Sequence, residues 1–157
     1  MKITFLGTGT SQGVPVIACD CEVCHSLDFR NQRLRSSVLF ENEDTTIVVD
    51  TGPDFRQQML THRVKKLDAV LFTHEHKDHT AGMDDIRSFN FRQQKDMPIY
   101  GRPSVLEQIQ QEFSYIFRKS KYPGLPKVAL NHIDGSPFQV GTFSIQPIEV
   151  MHHLLPI

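Results

Sequence analysis

The chain has 157 residues, 39% of them hydrophobic, which suits one domain with a single hydrophobic core. Its 17 basic and 18 acidic residues nearly balance, which argues against non-specific binding to nucleic acid or to a membrane surface. No apolar run is long enough to span a bilayer, and the first residues do not form a signal peptide. Because the 3 cysteines cannot all pair with one another, we expect a reducing, cytoplasmic compartment.

Hydrophobic periodicity predicts a mixture of strands and helices along the chain. Strands are expected at residues 2–7, 37–41, 46–50, 69–72, 98–101, 138–140 and 142–148. Helices are expected at residues 54–61, 80–91 and 103–113. Asp54 is the expected N-cap of the first helix. No repeat or linker divides the sequence, so we expect one domain over residues 1–157.

Ligand-type side chains crowd together directly after the predicted strand 69–72, where the sequence reads His-Glu-His-Lys-Asp-His. In extended backbone the first, third and fifth of these residues project from one face, because strand periodicity is two. A turn into a helix at Thr80 would direct His79 to a second, nearby point. Imidazole and carboxylate suit zinc, manganese or iron, so the spacing predicts two adjacent metal sites. A polar surface loop with chance histidines is the less favoured alternative. The predicted ligands are His74, His76, Asp78 and His79.

The pattern His-x-His-x-Asp-His after an apolar strand resembles the signature of the metallo-β-lactamase superfamily. The resemblance implies that His74 and His76 bind one metal ion, whereas Asp78 and His79 bind the other and take part in catalysis. The segment 46–52 resembles the superfamily's first motif. By this likeness Asp50 orients the metal-binding loop from behind the ligands.

The same resemblance implies a fold of the α/β class, a four-layer αββα sandwich built from two similar halves. The second half of such a sandwich supplies a bridging Asp and a final His, which have no counterpart in this sequence. We therefore expect only the N-terminal part of the sandwich here. A lone half would expose the inner face of its sheet.

The third histidine of the first metal site is expected after a later strand, where His152 and His153 are adjacent. His153 is followed three residues later by Pro156, and in this it resembles the ligand of phosphodiesterase members. We predict His153 as the ligand and His152 as a packing or supporting residue.

Three thiols lie within six residues, close enough to share one zinc ion in tetrahedral geometry. They are Cys19, Cys21 and Cys24. Residues 14–30 are accordingly predicted to form an inserted zinc-binding loop, with reduced, unliganded cysteines as the alternative. His25 is a poor fourth ligand because adjacent side chains diverge. In the branch that the chain resembles, the fourth ligand is a C-terminal His, which would lie beyond Ile157.

The cysteines, with the segments 5–11 and 82–85, resemble a phosphodiesterase branch that includes the enzyme opening ribosyl cyclic phosphate in phosphonate breakdown. This implies a hydrolase with two divalent ions, zinc or manganese, and one structural zinc. Its substrate would be a small or cyclic phosphodiester, attacked by a metal-bound hydroxide. Neither nucleic acid nor membrane is an expected partner, and a homodimer is possible. Three arginines could approach a phosphate, although solvated helix faces explain them equally well. They are Arg87, Arg92 and Arg102.

Three other functions remain open. The same ligand set hydrolyses thioesters and lactones elsewhere in the superfamily. A nuclease that matures tRNA 3′ ends is disfavoured, because no basic arm is visible in the sequence. The chain could also be a zinc-binding module without catalysis.

Overall fold

A six-stranded sheet in the order β1-β2-β3-β4-β5-β6 forms the centre of the computed structural model, which describes residues 1–118 and 122–157. Its strands are β1 (Lys2–Gly7), β2 (Ser37–Glu41), β3 (Thr46–Val49), β4 (Ala69–Leu71), β5 (Met97–Gly101) and β6 (Val128–His132). The first three strands are antiparallel, and β3 to β6 run parallel. Two hairpins follow, formed by β7 (Phe138–Val140) with β8 (Phe143–Ile145) and by β9 (Met151–His152) with β10 (Leu155–Pro156).

Short helices connect the parallel strands. They are α1 (Phe55–Thr61), α2 (Lys77–Thr80), α3 (Arg87–Gln93), α4 (Pro103–Glu112) and α5 (Ser114–Phe117). Within the described ranges, no helix is long and apolar enough to cross a membrane.

The two faces of the sheet are covered differently, because side chains alternate along each strand. Val48 and Val70 join a core cluster that includes buried side chains of α1, α3 and α4. Their neighbours Ile47 and Ala69 belong to a second cluster, together with Val140 of β7. Helices thus cover one face and the β7–β8 hairpin packs on the other, so the α/β class is confirmed.

The β1 edge of this second face is open. Ile3 is 48% exposed and Phe5 is 68% exposed, and both project on the side of Phe40, which packs against the second cluster. This agrees with the expectation that the inner face of the sheet would be uncovered in a single half of the sandwich.

The helix predicted at 80–91 is wrong as a single element. The chain forms α2, a 3-10 turn at Met83–Ile86 and then α3. Gly82 explains the break, since a Cβ on it would lie 2.1 Å from the carbonyl oxygen of Gly52. The Gly82 amide also donates to the Thr51 carbonyl at 2.8 Å. This contact with another loop takes the place of a continuous helix.

Two further expectations differ from the structure. Asp54 precedes α1 but its side chain does not cap the helix. Its carboxylate instead accepts hydrogen bonds from the backbone amide and the guanidinium of Arg35, at 2.8 and 3.0 Å. Sequence patterns also gave no strand at β6, which pairs in parallel with β5. Because β6 is an edge strand and only half-buried, its residues lack a clear apolar pattern.

Candidate metal centre

The carboxyl ends of the parallel strands β3 and β4 position the site. Asp50 directly follows β3, and His74 lies three residues beyond the end of β4. The chain then turns into α2 directly after His76, which directs Asp78 and His79 back toward the same edge. In α/β sheets this edge is the usual place for a ligand.

Three histidines converge in this region. His74 Nε2 and His76 Nδ1 lie 3.2 Å apart. The ring centroid of His152 lies 5.1 Å from that of His74 and 5.6 Å from that of His76. Each ring offers a nitrogen within 4.8 Å of the other two. Two imidazole ligands of one tetrahedral zinc stand about 3.3 Å apart, so this set fits a transition-metal ion.

A second pair of donors lies beside this cluster. The rings of His74 and His79 are 4.1 Å apart, centroid to centroid. His79 Nε2 faces Asp78 Oδ2 at 3.1 Å. One nitrogen and one carboxylate oxygen are therefore available next to the three-histidine cluster. Together the two donor sets suit a pair of divalent ions.

Asp50 lies behind the ligands and is only 4% exposed. Its Oδ1 accepts from the Thr73 amide at 2.9 Å, and its Oδ2 accepts from the Thr73 hydroxyl at 2.8 Å. His79 Nδ1 also donates to Asp50 Oδ2, at 2.7 Å. With that nitrogen occupied, Nε2, which faces Asp78, is the nitrogen of His79 that could bind a metal, and this is the usual arrangement at metal sites.

Thr73 is a supporting residue that sequence reasoning missed. Its single hydroxyl proton goes to Asp50, so the oxygen accepts from His74 Nδ1, 3.0 Å away. His74 therefore presents Nε2 as a lone pair toward His76. The feature of the sequence that could have indicated this role is that Thr73 stands directly between the apolar strand and the first histidine.

The surroundings of His74 and His79 shift the pKa values of these two rings in opposite directions. Burial lowers the pKa of His74, and the nearby His79 and His76 lower it further, which favours the neutral ring that binds metals. Burial also acts to lower the pKa of His79. There the hydrogen bond and the charge of Asp50, with the charge of Asp78, outweigh burial and raise the pKa.

The expectation that His153 supplies the third ring does not match this geometry, because His152 occupies that place. His152 belongs to β9 and pairs with Leu155 of β10. β9 ends at His152, so His153 lies in the turn of the hairpin rather than beside His152 in the strand. His153 follows in a left-handed conformation, with φ of 55°.

The three cysteine sulfurs also converge, within 4.8 Å of one another. The Val16 amide donates to Cys24 Sγ at 3.3 Å. Hydrogen bonds from the Cys24 amide and from the thiols of Cys19 and Cys24 lower the pKa of Cys21 to about 7. This set fits zinc. The ring of His25 lies near Asp20, 3.6 Å from its carboxylate.

Two of the three arginines that could approach a phosphate pair with other groups of the protein. Arg87 pairs with Asp84 at 2.8 Å. Arg102 donates to Glu149 Oε2 and to the carbonyl oxygen of Pro156, each at 2.8 Å. Glu149 and Pro156 lie on either side of His152 in sequence. Arg102 therefore holds both ends of the segment that carries the His152 ring.

Residues 45–156 match the family described as a Beta-lactamase superfamily domain. The chain belongs to the metallo-β-lactamase superfamily. This confirms the family expected from the His-x-His-x-Asp-His motif and, with it, the fold class.

Comparison with individual relatives shows where in the superfamily the chain belongs. The crystal structure of a diphosphatase from the PhnP family is 34% identical, with a TM-score of 0.89 over 98% of this chain and 58% of that one. This likeness places the chain near the PhnP phosphodiesterase branch. A ribonuclease Z of Bradyrhizobium diazoefficiens is 27% identical over 96% of this chain and 46% of its own length.

A protein of Porphyromonas gingivalis named octanoyltransferase is 42% identical over all of this chain, which spans 32% of that protein. The chain thus covers between a third and three fifths of the length of these relatives.

Proposed function

We propose that this chain provides the N-terminal metal-binding part of a phosphodiesterase that acts on a small or cyclic phosphodiester. One observation carries the proposal: the three-histidine cluster and the Asp78–His79 pair are contiguous, with the rings of His74 and His79 4.1 Å apart. Adjacent sites of this kind suit in-line displacement at phosphorus. The similarity to a diphosphatase of the PhnP family supports the same reaction class.

Divalent ions held here would activate a water molecule and neutralise charge on the phosphoryl oxygens. The residues of this chain orient the donors. Asp50 holds His79 through Nδ1, and Thr73 holds His74 in the same way, so both rings present Nε2 toward the site. Such preorganisation places the donors before substrate arrives.

We further propose zinc or manganese at this centre and one structural zinc at the cysteine cluster. Nitrogen and carboxylate donors accept either metal, whereas thiolates favour zinc. Three reduced cysteines fit a cytoplasmic protein. The proposed substrate is a small molecule, because the chain is close to neutral overall.

Hydrolysis of bis(para-nitrophenyl) phosphate by the full-length protein, loaded with manganese or zinc, tests the proposal. His76→Ala should lower turnover below about 1% of wild type, since it removes a metal ligand. His62→Ala is the matched control, because His62 is an exposed histidine at the end of α1. Unchanged turnover in His76→Ala, or no turnover by wild type with either metal, would contradict the proposal.

A thioesterase is the second candidate, favoured by the 42% identity to a protein named octanoyltransferase. That name refers to an acyl group, and metal centres of this superfamily also hydrolyse thioesters. Comparing kcat/KM for an octanoyl thioester of N-acetylcysteamine with that for bis(para-nitrophenyl) phosphate separates the two. A higher value for the thioester would favour the second candidate.

A further inference from the structure

The single helical turn α2 lies between ligands of the two candidate metal sites. His76, the residue before it, belongs to the three-histidine cluster, whereas Asp78 and His79 form the second donor pair. Lys77 joins these two donor sets in the chain. One turn of helix closes too few hydrogen bonds to be stable by itself. The spacing of the two donor sets therefore depends on contacts that α2 makes with other elements.

Contacts with the loop before α1 hold the carboxyl end of α2. The Thr51 amide donates to the His79 carbonyl oxygen at 2.8 Å. The Gly82 amide donates to the Thr51 carbonyl oxygen, also at 2.8 Å. These two hydrogen bonds act at the end of the turn, whereas Lys77 begins it.

The side chain of Lys77 extends to the end of α4. Its Nζ lies 2.5 Å from Oε2 of Glu112, the last residue of that helix. The same nitrogen lies 6.0 Å from the centre of the Phe113 ring, a distance at which a cation is attracted to an aromatic face. Lys77 thus connects the metal-binding turn with a helix that packs into the core. The buried residues of α4 are Val105, Leu106 and Ile109.

Glu112 depends on this contact because its side chain is only 15% exposed. Its Oε1 accepts from Gln108 Nε2 at 2.8 Å. Among the described residues, its Oε2 meets no partner other than the Lys77 ammonium. Burial acts to raise the pKa of Glu112, but Gln108 and Lys77 outweigh burial and lower it. A largely buried carboxylate is costly to leave without its cation, so the ion pair persists although Lys77 is mostly exposed.

We propose that Lys77 is a positioning residue, whose ion pair with Glu112 fixes the segment from His76 to Asp78 and thereby the spacing of the two metal sites. Lys77 acts through its neighbours, because its ammonium group contacts α4. This rests on the proposed function, in that it takes the two donor sets to hold two ions, and it adds a residue outside the ligand set that determines how tightly they bind.

Charge and position predict opposite results for one of two single variants. Lys77→Met removes a positive charge near the ions, so Coulomb repulsion alone would make the variant bind cations more tightly. Glu112→Gln removes a negative charge and would weaken binding on the same ground. If the ion pair positions the turn, both variants bind more weakly. We expect each to reduce the affinity for one active-site ion by about tenfold, as is common when a residue that orients ligands is removed.

Manganese binding to the full-length protein, followed by the electron paramagnetic resonance of free Mn²⁺, measures this affinity. Manganese is chosen because the thiolates of the cysteine cluster favour zinc. Lys77→Arg should bind within about threefold of wild type, since it keeps the charge. The double variant Lys77→Met/Glu112→Gln should be no weaker than either single variant, because all three lack the same link.

Lys2→Met is the matched control. Lys2 forms a comparable ion pair with Glu41, 2.8 Å long, between β1 and β2. Neither residue adjoins a predicted metal ligand in the chain. Manganese affinity in this variant should equal that of wild type.

Hydrogen exchange in the metal-free protein tests the same role without any ion. The Thr80 and Ala81 amides close the turn, donating to the carbonyl oxygens of His76 and Lys77 at 3.2 and 3.0 Å. In Lys77→Met these two amides should exchange at least about threefold faster, while amides of β4 and β5 keep their wild-type rates. A uniform loss of protection would reveal general destabilisation and would overturn the positioning role.

Tighter manganese binding by Lys77→Met, or wild-type affinity in both single variants, would also overturn it, even if the protein hydrolyses phosphodiesters. Weaker binding in both variants, in a protein that hydrolyses no phosphodiester, would refute the proposed reaction and leave the positioning role standing. Wild-type protein that binds neither manganese nor zinc at the histidines would refute the metal centre and the role of Lys77 together.

Discussion

Asp50 connects the two candidate metal sites at the scale of single residues. One carboxylate receives three donors, two from Thr73 and one from His79, at 2.7 to 2.9 Å. Because Thr73 in turn holds His74, the side chain of Asp50 sets the orientation of a ring in each donor set. Supporting residues of this kind commonly change metal affinity by about 10- to 100-fold when they are removed.

The adjacent histidines give a direct test at this scale. His152→Ala should weaken binding of one active-site metal by at least about tenfold, because it removes one of three converging nitrogens. His153→Ala should change the affinity by less than about threefold. Competition with a chromogenic chelator measures both variants. A larger effect for His153→Ala would restore the expectation drawn from sequence.

At the scale of elements, a contact between two loops shapes the metal-binding turn. A Cβ on Gly52 would lie 2.1 Å from the Asp78 carbonyl oxygen, and one on Gly82 would lie equally close to the Gly52 carbonyl oxygen. The Thr51 amide donates to the His79 carbonyl at 2.8 Å in the same region. Neither glycine has a positive φ. Glycine is required at both positions because the two loops approach so closely that a side chain would collide with the backbone of the other loop.

Gly82→Ala should therefore destabilise the protein by at least about 2 kcal/mol, since the added methyl meets backbone atoms that cannot move aside. Urea unfolding followed by circular dichroism measures the loss. Gly124→Ala is the control, because its Cβ would meet only the exposed side chain of Tyr122. Equal stability of Gly82→Ala and wild type would show that the loops separate at little cost.

At the scale of the whole molecule, Asp68 joins distant parts of the chain. Its carboxylate accepts from the Thr46 amide at 2.9 Å and pairs with Lys95 at 2.9 Å and with Lys66 at 3.1 Å. Burial acts to raise the pKa of Asp68, but these partners outweigh burial and lower it. A carboxylate whose pKa is depressed by folding stabilises the folded state above its unfolded pKa of about 3.9.

We expect Asp68→Asn to lower the free energy of unfolding by about 1 kcal/mol at pH 7. The difference from wild type should shrink as the pH falls from about 4 through the depressed folded pKa, because protonation removes the same charge. Urea titrations at a series of pH values test this, with the exposed Asp96→Asn as the control. A difference that is independent of pH would exclude the ionised carboxylate as the cause.

The sequence by itself determined the parts that depend on local spacing. The spacing of ligand-type residues was enough to predict that His74, His76, Asp78 and His79 face a common region, and the structure brings them together. Asp78 arrives there by a different route, because α2 begins at Lys77 rather than at Thr80. The central strands followed from apolar runs in the same way, whereas the α/β class was expected from the family resemblance. Such signals span a few residues, so no distant contact is needed to interpret them.

Only the tertiary structure decided what depends on residues far apart in the chain. The ring of His152, not that of His153, meets His74 and His76, and the closeness of Gly52 and Gly82 divides the predicted helix. Pairing with β5 makes a strand of β6. In each case the deciding contact joins segments that no local pattern relates, so the physical cause lies in packing and pairing rather than in propensity.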